Sequence, residues 1–470
     1  MSTSVDGLVS GLSTSSMITS LMQVEAAPQT RLKSKVSTAQ TAVAAYQSVN
    51  SKLAAFKTAA DNLGQLSTWR GIKATSSSTA VTATAVTGTN GAAGTTTFNV
   101  KNLATSQIST ARVPGTGDIV DADTITITVG PLDGSMEADG TTPKDKTVTI
   151  DVSKDKTAAG VASAINAAGL GVKAALVSTG TSDKILQLSG VKTGADNKFD
   201  VSGLGTSSTT VELRDVATAG NALLQIGGGD SDPSGAGYDV TSTNNTFTGL
   251  MPGVSITVSK VEDNVTVTAA ADVTGIADKF QALVDAANAT LSEISSQTAY
   301  DASTKRGSPL TGDFAVRNMS QTILGAISQG LSYQDPNWVK PDNDPDAKPD
   351  MIDFGSLSKM GISLSSTGRL TFDTTKFQNG YAENADAIQA AGIGFADNME
   401  NMAIGMTTNV KSVITGRNSE IDRVTEQIEN WDIRLAARKL ALQRQYADLE
   451  TSLGKLKNQS TWLAGQLSGL

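Results

Sequence analysis

The stretch Asp342-Asn343-Asp344-Pro345-Asp346 has the density of oxygen ligands that a calcium loop uses. An EF-hand loop also needs Gly at its sixth position and a bidentate Glu at its twelfth. Here those positions are Ala347 and Asp353, with Pro345 and Pro349 inside the loop, so the stretch reads as a solvated acidic loop. Gly227-Gly228-Gly229 would cradle phosphate only if a Lys-Ser or Lys-Thr pair followed at a helix start. None does, and it reads as a turn. The chain has no Cys and no His. This excludes disulfides, thiolate nucleophiles, Cys-ligated zinc and the Ser-His-Asp and Cys-His constellations. Carboxylate, Lys or Tyr chemistry remains open. Paired carboxylates could hydrolyse glycosides, but Thr/Ser-rich strands with only 4% aromatic residues make a poor sugar cleft. No cofactor and no metal are called for.

The sequence therefore points away from bond chemistry and toward shape. With 470 residues, several cores are expected, built from Ala, Val, Leu and Ile rather than large rings. A net charge of -9 repels phosphate and argues against nucleic acid as a partner. Met1 to Ser20 has neither a basic n-region nor a long apolar h-region, so it is not a Sec signal peptide. No run approaches 18 uncharged apolar residues, so no membrane insertion is expected. Export, if it occurs, needs a route without a cleaved signal peptide.

The elements fall into three zones. Residues 14 to about 70 read as helix, with Ser13 or Thr14 as cap and Ile18, Leu21 and Met22 at helical spacing. Pro28 suits the first turn of a second helix. Beyond it Leu32, Val36, Ala39, Val43, Tyr46, Leu53 and Ala60 form a seam of three- and four-residue steps, broken by Asn50 and Lys57. From 71 to about 270 the pattern becomes period-two, as in Thr124-Ile125-Thr126-Ile127-Thr128-Val129, which predicts half-buried antiparallel strands. Within it, Val148, Ile150 and Val152 predict a strand, Thr157 caps a short helix, and Val172 to Val177 returns to strand, a β-α-β piece expected to form its own subdomain. Helix resumes near 275 along Ile276, Phe280, Leu283, Val284, Ala287, Leu291 and Ile294. Strands are expected near Ile362–Leu364 and Leu370–Phe372.

The strongest pattern is last. Ile414, Ile421, Ile428, Leu435, Leu442, Leu449, Leu456, Leu463 and Leu470 are spaced by seven. A strict heptad sustained this long needs a partner helix to cover its seam. The N-terminal seam is one partner, and neighbouring copies are the other. Helical ends around a β middle suggest a hairpin in which the two ends meet.

Several blocks carry a family resemblance. Ser10-Gly11-Leu12-Ser13-Thr14 with Ile18, Leu21-Met22, Glu25, Pro28 and Leu32 opens it; Trp69 with Lys73-Ala74-Thr75-Ser76-Ser77 and Phe98-Asn99-Val100-Lys101-Asn102-Leu103-Ala104 follow. The stretch around Ile165-Asn166-Ala167-Ala168 and Gly171-Val172-Lys173-Ala174 is similar to the flagellin hook IN motif. Thr243-Asn244-Asn245-Thr246, Leu310-Thr311-Gly312-Asp313, Gly368-Arg369-Leu370 and Asn458-Gln459-Ser460 complete the series in order. Together they resemble the flagellar hook-associated protein 2 family, the filament-cap proteins of bacterial flagella. Ser13 stands where that family often has Asp.

The resemblance implies an α+β multidomain protein with helical coiled-coil termini, a helical-bundle domain and inserted antiparallel β-rich domains. The expected division is 1–40 with 425–470 as terminal coiled coil, 41–70 with 275–424 as helical domain, 71–112 with 242–274 as inner β domain, and 113–241 as outer β domain with the hook IN-like motif. It implies a ring homo-oligomer at the extracellular tip that promotes folding and insertion of exported flagellin and prevents its loss. Expected partners are further copies of itself, flagellin, the hook–filament junction protein and an export chaperone at the C-terminus. The residues expected to carry oligomerisation and filament contact are Leu12, Ile18, Leu21, Met22, Leu32, Ile421, Ile428, Leu435, Leu442, Leu449, Leu456 and Leu463. The alternatives are an adhesin-like surface module, or another axial protein such as flagellin or a junction protein.

Overall fold

The computed structural model describes residues 11, 13–86, 91–180, 182–341 and 347–467. The chain begins with α1 (Thr14–Glu25), α2 (Ala27–Gly64) and the short α3 (Leu66–Trp69). Strands β1 (Ile72–Ser76), β2 (Val81–Ala85), β3 (Gly94–Asn102), β4 (Ile108–Pro114), β5 (Thr124–Gly130) and β6 (Lys146–Asp151) lead to α4 (Ala158–Ala168). Then come β7 (Val172–Ser178), β8 (Asp183–Gly190), β9 (Lys198–Ser202), β10 (Arg214–Ala217), β11 (Ala222–Ile226), β12 (Tyr238–Ser242), β13 (Thr246–Met251), β14 (Val254–Val258) and β15 (Glu262–Ala271). The rest is α5 (Val273–Thr298), β16 (Tyr300–Asp301), β17 (Arg306–Gly307), α6 (Phe314–Ser328), β18 (Leu331–Gln334), β19 (Met351–Gly355), β20 (Ile362–Leu364), β21 (Leu370–Phe372), α7 (Thr374–Glu383) and α8 (Ala385–Leu467).

These elements form two compact units, residues 1–65 with 273–470, and residues 66–272. In the first, α2 lies against α8 and α5. Pro28 sits in the first turn of α2, where its missing N–H costs nothing. The seam expected along α2 is buried at Ala39, Val43, Tyr46, Leu53 and Ala60, joined by Val49, Phe56 and Leu63. Facing positions in α8, from Ile388 through Phe395, Met399 and Met406 to Val410, are buried too. Asp313 and Asp373 cap α6 and α7 by accepting from Val316 N and Lys376 N. Ser13 precedes α1 but makes no side-chain cap bond. Helix α8 runs 83 residues, about 125 Å at 1.5 Å per residue, and starts well before the heptads do.

The second unit holds two apolar cores. One lies between the sheets β1-β15-β3-β11-β12 and β13-β14-β2, and is built on Phe98, Val100, Leu224, Phe247, Ile256 and Val267. The other lies between β10-β4-β8-β7 and β6-β5-β9, with α4 against it. In β5 the alternation is literal: Ile125 and Ile127 face inward, while Thr128 on the other face meets Thr147 of β6 at 3.0 Å. Thr157 caps α4 as expected, its hydroxyl accepting from Gly160 N.

Two expectations change. Strands β11 and β12 fall within the stretch 113–241 expected to be the outer domain, yet they hydrogen-bond into the sheet of β3 and β15. Residues Ala222 and Leu224 fill that first core, so the chain re-enters it about twenty residues before the expected boundary. The β-α-β piece also differs, because β6 and β7 belong to different sheets. Helix α4 bridges them over a shared core instead of crossing over one sheet. Asn166 makes that bridge specific: Nδ2 donates to Ala174 O at 2.8 Å and Oδ1 accepts from Ala174 N at 3.0 Å. It thereby occupies backbone groups on the edge strand β7 that would otherwise invite pairing.

Candidate assembly surface

The candidate residues lie along the pairing of α1 and α2 with α8. Polar contacts fix its antiparallel register. Lys57 pairs with Glu400 and Lys35 with Glu420, both at 2.9 Å, and Arg438 Nε reaches Glu25 at 2.9 Å. Ionic pairing with Lys35 holds the Glu420 carboxyl below its ordinary range. Such exposed pairs set register more than stability. Gln29 contributes more, because it is buried and donates to Asp432 Oδ1 at 2.6 Å and Ile428 O at 3.3 Å. Tyr46 is also buried, and its hydroxyl donates to Asp313. Burial, together with that bond, pushes its pKa to about 12.

The apolar members divide along the helix. Ile18 and Met22 of α1 share a surface cleft with Leu435, Ala436 and Lys439. Leu32 of α2 shares another with Trp431 and Arg434, whose guanidinium stacks 4.0 Å from the Trp431 ring centroid. Ile421, Ile428 and Leu435 are half-buried, and Leu442 is 6% exposed. Beyond it the same heptad positions open to solvent: Leu449 is 46% exposed, Leu456 60% and Leu463 55%. Every described residue from Lys455 to Leu467 is exposed. Leu21 is exposed rather than facing α8, and Leu12 lies outside the described residues. The acidic stretch 342–346 also lies outside them. The Ile421–Leu442 half of the heptad seam is thus covered to differing degrees within the chain, and the half beyond it is open.

Some surface residues escaped sequence reasoning. Met17 and Val24 are exposed beside Leu21 on one face of α1; their i, i+4, i+7 spacing was the available signal. Trp462 joins the open end of α8. Gln29 carried no signal, since one polar residue in a polar stretch is unremarkable until its partner is known. Among the described residues no cluster suited to a metal occurs, and no helix is long and apolar enough to cross a membrane.

Long paired terminal helices with an inserted β-rich unit and a terminal apolar stripe left open define an assembly protein. The profile of the flagellar hook-associated protein 2 C-terminus matches residues 219–458, and that of its N-terminus residues 10–107. The chain belongs to the flagellar hook-associated protein 2 family. It is 24% identical to the flagellar hook-associated protein 2 of Escherichia coli K12, over 98% of this chain and 97% of that one. It is also 24% identical to the B-type protein of Pseudomonas aeruginosa, over 95% and 92%. The fold is similar to the D1-D2-D3 domains of the flagellar cap protein FliD from Escherichia coli, with a TM-score of 0.55 and 22% identity over 80% of this chain and 99% of that one.

Proposed function

We propose that the chain caps the tip of a flagellar filament as a ring of identical copies, and that the open end of α8 seats it there. The carrying observation is that one heptad stripe is buried at Leu442 and exposed at Leu449, Leu456 and Leu463. Apolar side chains repeated at this spacing gain about 25 cal/mol per Å² when a second helix covers them. In this reading the cap performs no bond chemistry. It confines flagellin as it arrives, lets it fold and insert, and prevents its loss to the medium. The terminal coiled coil, 1–40 with 425–470, is the seat, although α2 and α8 run unbroken through both limits. The hook–filament junction protein is the first surface it meets, and an export chaperone covers the C-terminal stripe beforehand. Export proceeds without a cleaved signal peptide.

The test is complementation. A strain lacking this chain should export flagellin into the medium without building filaments, and the full chain should restore them. A version ending before Glu450 should fail to do so. Normal filaments in the deletion strain, with only surface attachment impaired, would identify an adhesin and overturn the reading.

A further inference from the structure

In the first unit a cleft of about 660 Å³ lies between α5, α6 and the turn joining β20 to β21. Arg317 of α6 and Arg369 of the turn line it, together with Ser292, Ser295 and Ser320. No acidic side chain lines it, and neither arginine enters an ion pair among the described residues. Both arginines are exposed, yet the backbone that carries Arg369 is fixed. Its N–H donates to Ser365 Oγ at 3.1 Å, and its carbonyl accepts from Ser365 N at 2.8 Å. Asn288 of α5 clamps the next residue: Oδ1 accepts from Leu370 N at 2.9 Å and Nδ2 donates to Leu370 O at 2.8 Å. Phe314 lies three residues before Arg317 and seven before Gln321, which also lines the cleft, so the three share one face of α6. Phe314 is 76% exposed, and of the 10 Phe in the chain it alone is exposed.

We propose that this cleft docks an acidic segment of a partner protein, which sets carboxylates against Arg317 and Arg369 and an apolar side chain against Phe314. Charge complementarity carries the choice of occupant. Two guanidinium groups without a counter-charge, beside serine hydroxyls that can donate, suit carboxylates. An exposed aromatic ring beside arginines is the composition of a protein contact rather than of a free-anion site. A long polyanion such as nucleic acid is disfavoured, because the chain as a whole carries -9. The volume suits inserted side chains rather than a whole helix. Fixing the turn beforehand lowers the ordering cost of binding at Arg369. The cleft uses α5, α6 and the β20–β21 turn, none of which belongs to the open end of α8, so this contact goes beyond the proposed seat.

The test is fluorescence anisotropy on the full-length chain. The probe is a short, end-blocked, fluorescein-labelled peptide of alternating glutamate and leucine. It should bind, and the same peptide with glutamine for glutamate should bind about tenfold more weakly. Arg317→Gln with Arg369→Gln should weaken the glutamate peptide about tenfold and leave the glutamine peptide unchanged. Phe314→Ala should weaken the leucine peptide and leave a version with serine for leucine unchanged. Arg444→Gln removes an exposed arginine of α8 and should change nothing. Far-UV circular dichroism should be unaltered throughout, as these side chains are exposed. No binding, equal binding of the glutamate and glutamine peptides, or an equal loss with Arg444→Gln would each overturn the proposal. So would displacement of the peptide by inorganic phosphate where sodium chloride of equal ionic strength has no effect, which would mean a small-anion site. Leu456→Asp with Leu463→Asp should leave peptide binding intact, so failure of the seat is not mistaken for failure of this cleft.

Discussion

Gln29 on α2 and Asp432 on α8 are 403 residues apart in sequence and 2.6 Å apart across the helix pair, the amide donating to the carboxylate from a buried site. The same Nε2 also donates to Ile428 O. Replacing Gln29 with Leu removes this hydrogen bond, and because Asp432 is exposed and can turn to water the loss is about 0.5–1.5 kcal/mol. Hydrogen exchange should then rise in α8 between Val424 and Leu442 while residues 66–272 stay protected. Unchanged protection around Ile428 would show that the apolar contacts alone hold this end.

Tyr46 and Asp313 tie α2 to the N-terminus of α6. The Tyr46 pKa, ordinarily 10, is raised to about 12 in the folded chain, so the fold favours the protonated phenol. This contribution to stability is complete below pH 10 and is lost as pH rises through about 12. Tyr46→Phe should lower stability at neutral pH by roughly 1–3 kcal/mol and flatten this alkaline loss. Parallel alkaline denaturation profiles for the two proteins would refute the assignment.

Two glycines in α8 should respond in opposite directions. A Cβ on Gly394 would come within 2.3 Å of Tyr333 Cβ, whereas one on Gly405 would meet nothing within 4 Å. Gly405→Ala should stabilise by about 0.5–1 kcal/mol through helix propensity. Gly394→Ala should lose about 1–3 kcal/mol to overpacking against Tyr333, more than propensity returns. Thermal unfolding of the two variants measures the contrast, and a rise in Tm for both would mean that β18 yields freely.

Local signals were read well where one residue decides the outcome. Pro28 marked the start of α2, Thr157 capped α4, and Ile362–Leu364 and Leu370–Phe372 became β20 and β21. Pairing across the chain was harder to read. Nothing in Ala222–Ile226 says that this strand returns to β3 rather than staying with β8, because either sheet accepts an apolar edge. The start of α8 was obscured because its first turns are covered on more than one side. Ile388, Ala391, Gly392, Phe395 and Ala396 make a broad stripe instead of a heptad seam. The candidate surface was legible as a repeat. Which half is covered depends on where α1 begins, and the repeat does not contain that information.

The seat itself is tested most directly by charge. Leu456→Asp with Leu463→Asp places two carboxylates in the open stripe, 60% and 55% exposed in the single chain. Folding of the isolated chain should be untouched, while burial against a neighbouring helix becomes costly. Expressed in the deletion strain and viewed by electron microscopy, this variant should yield hooks without filaments, with monomeric flagellin in the medium. Full-length filaments on cells carrying it would contradict a seat built on the exposed end of α8.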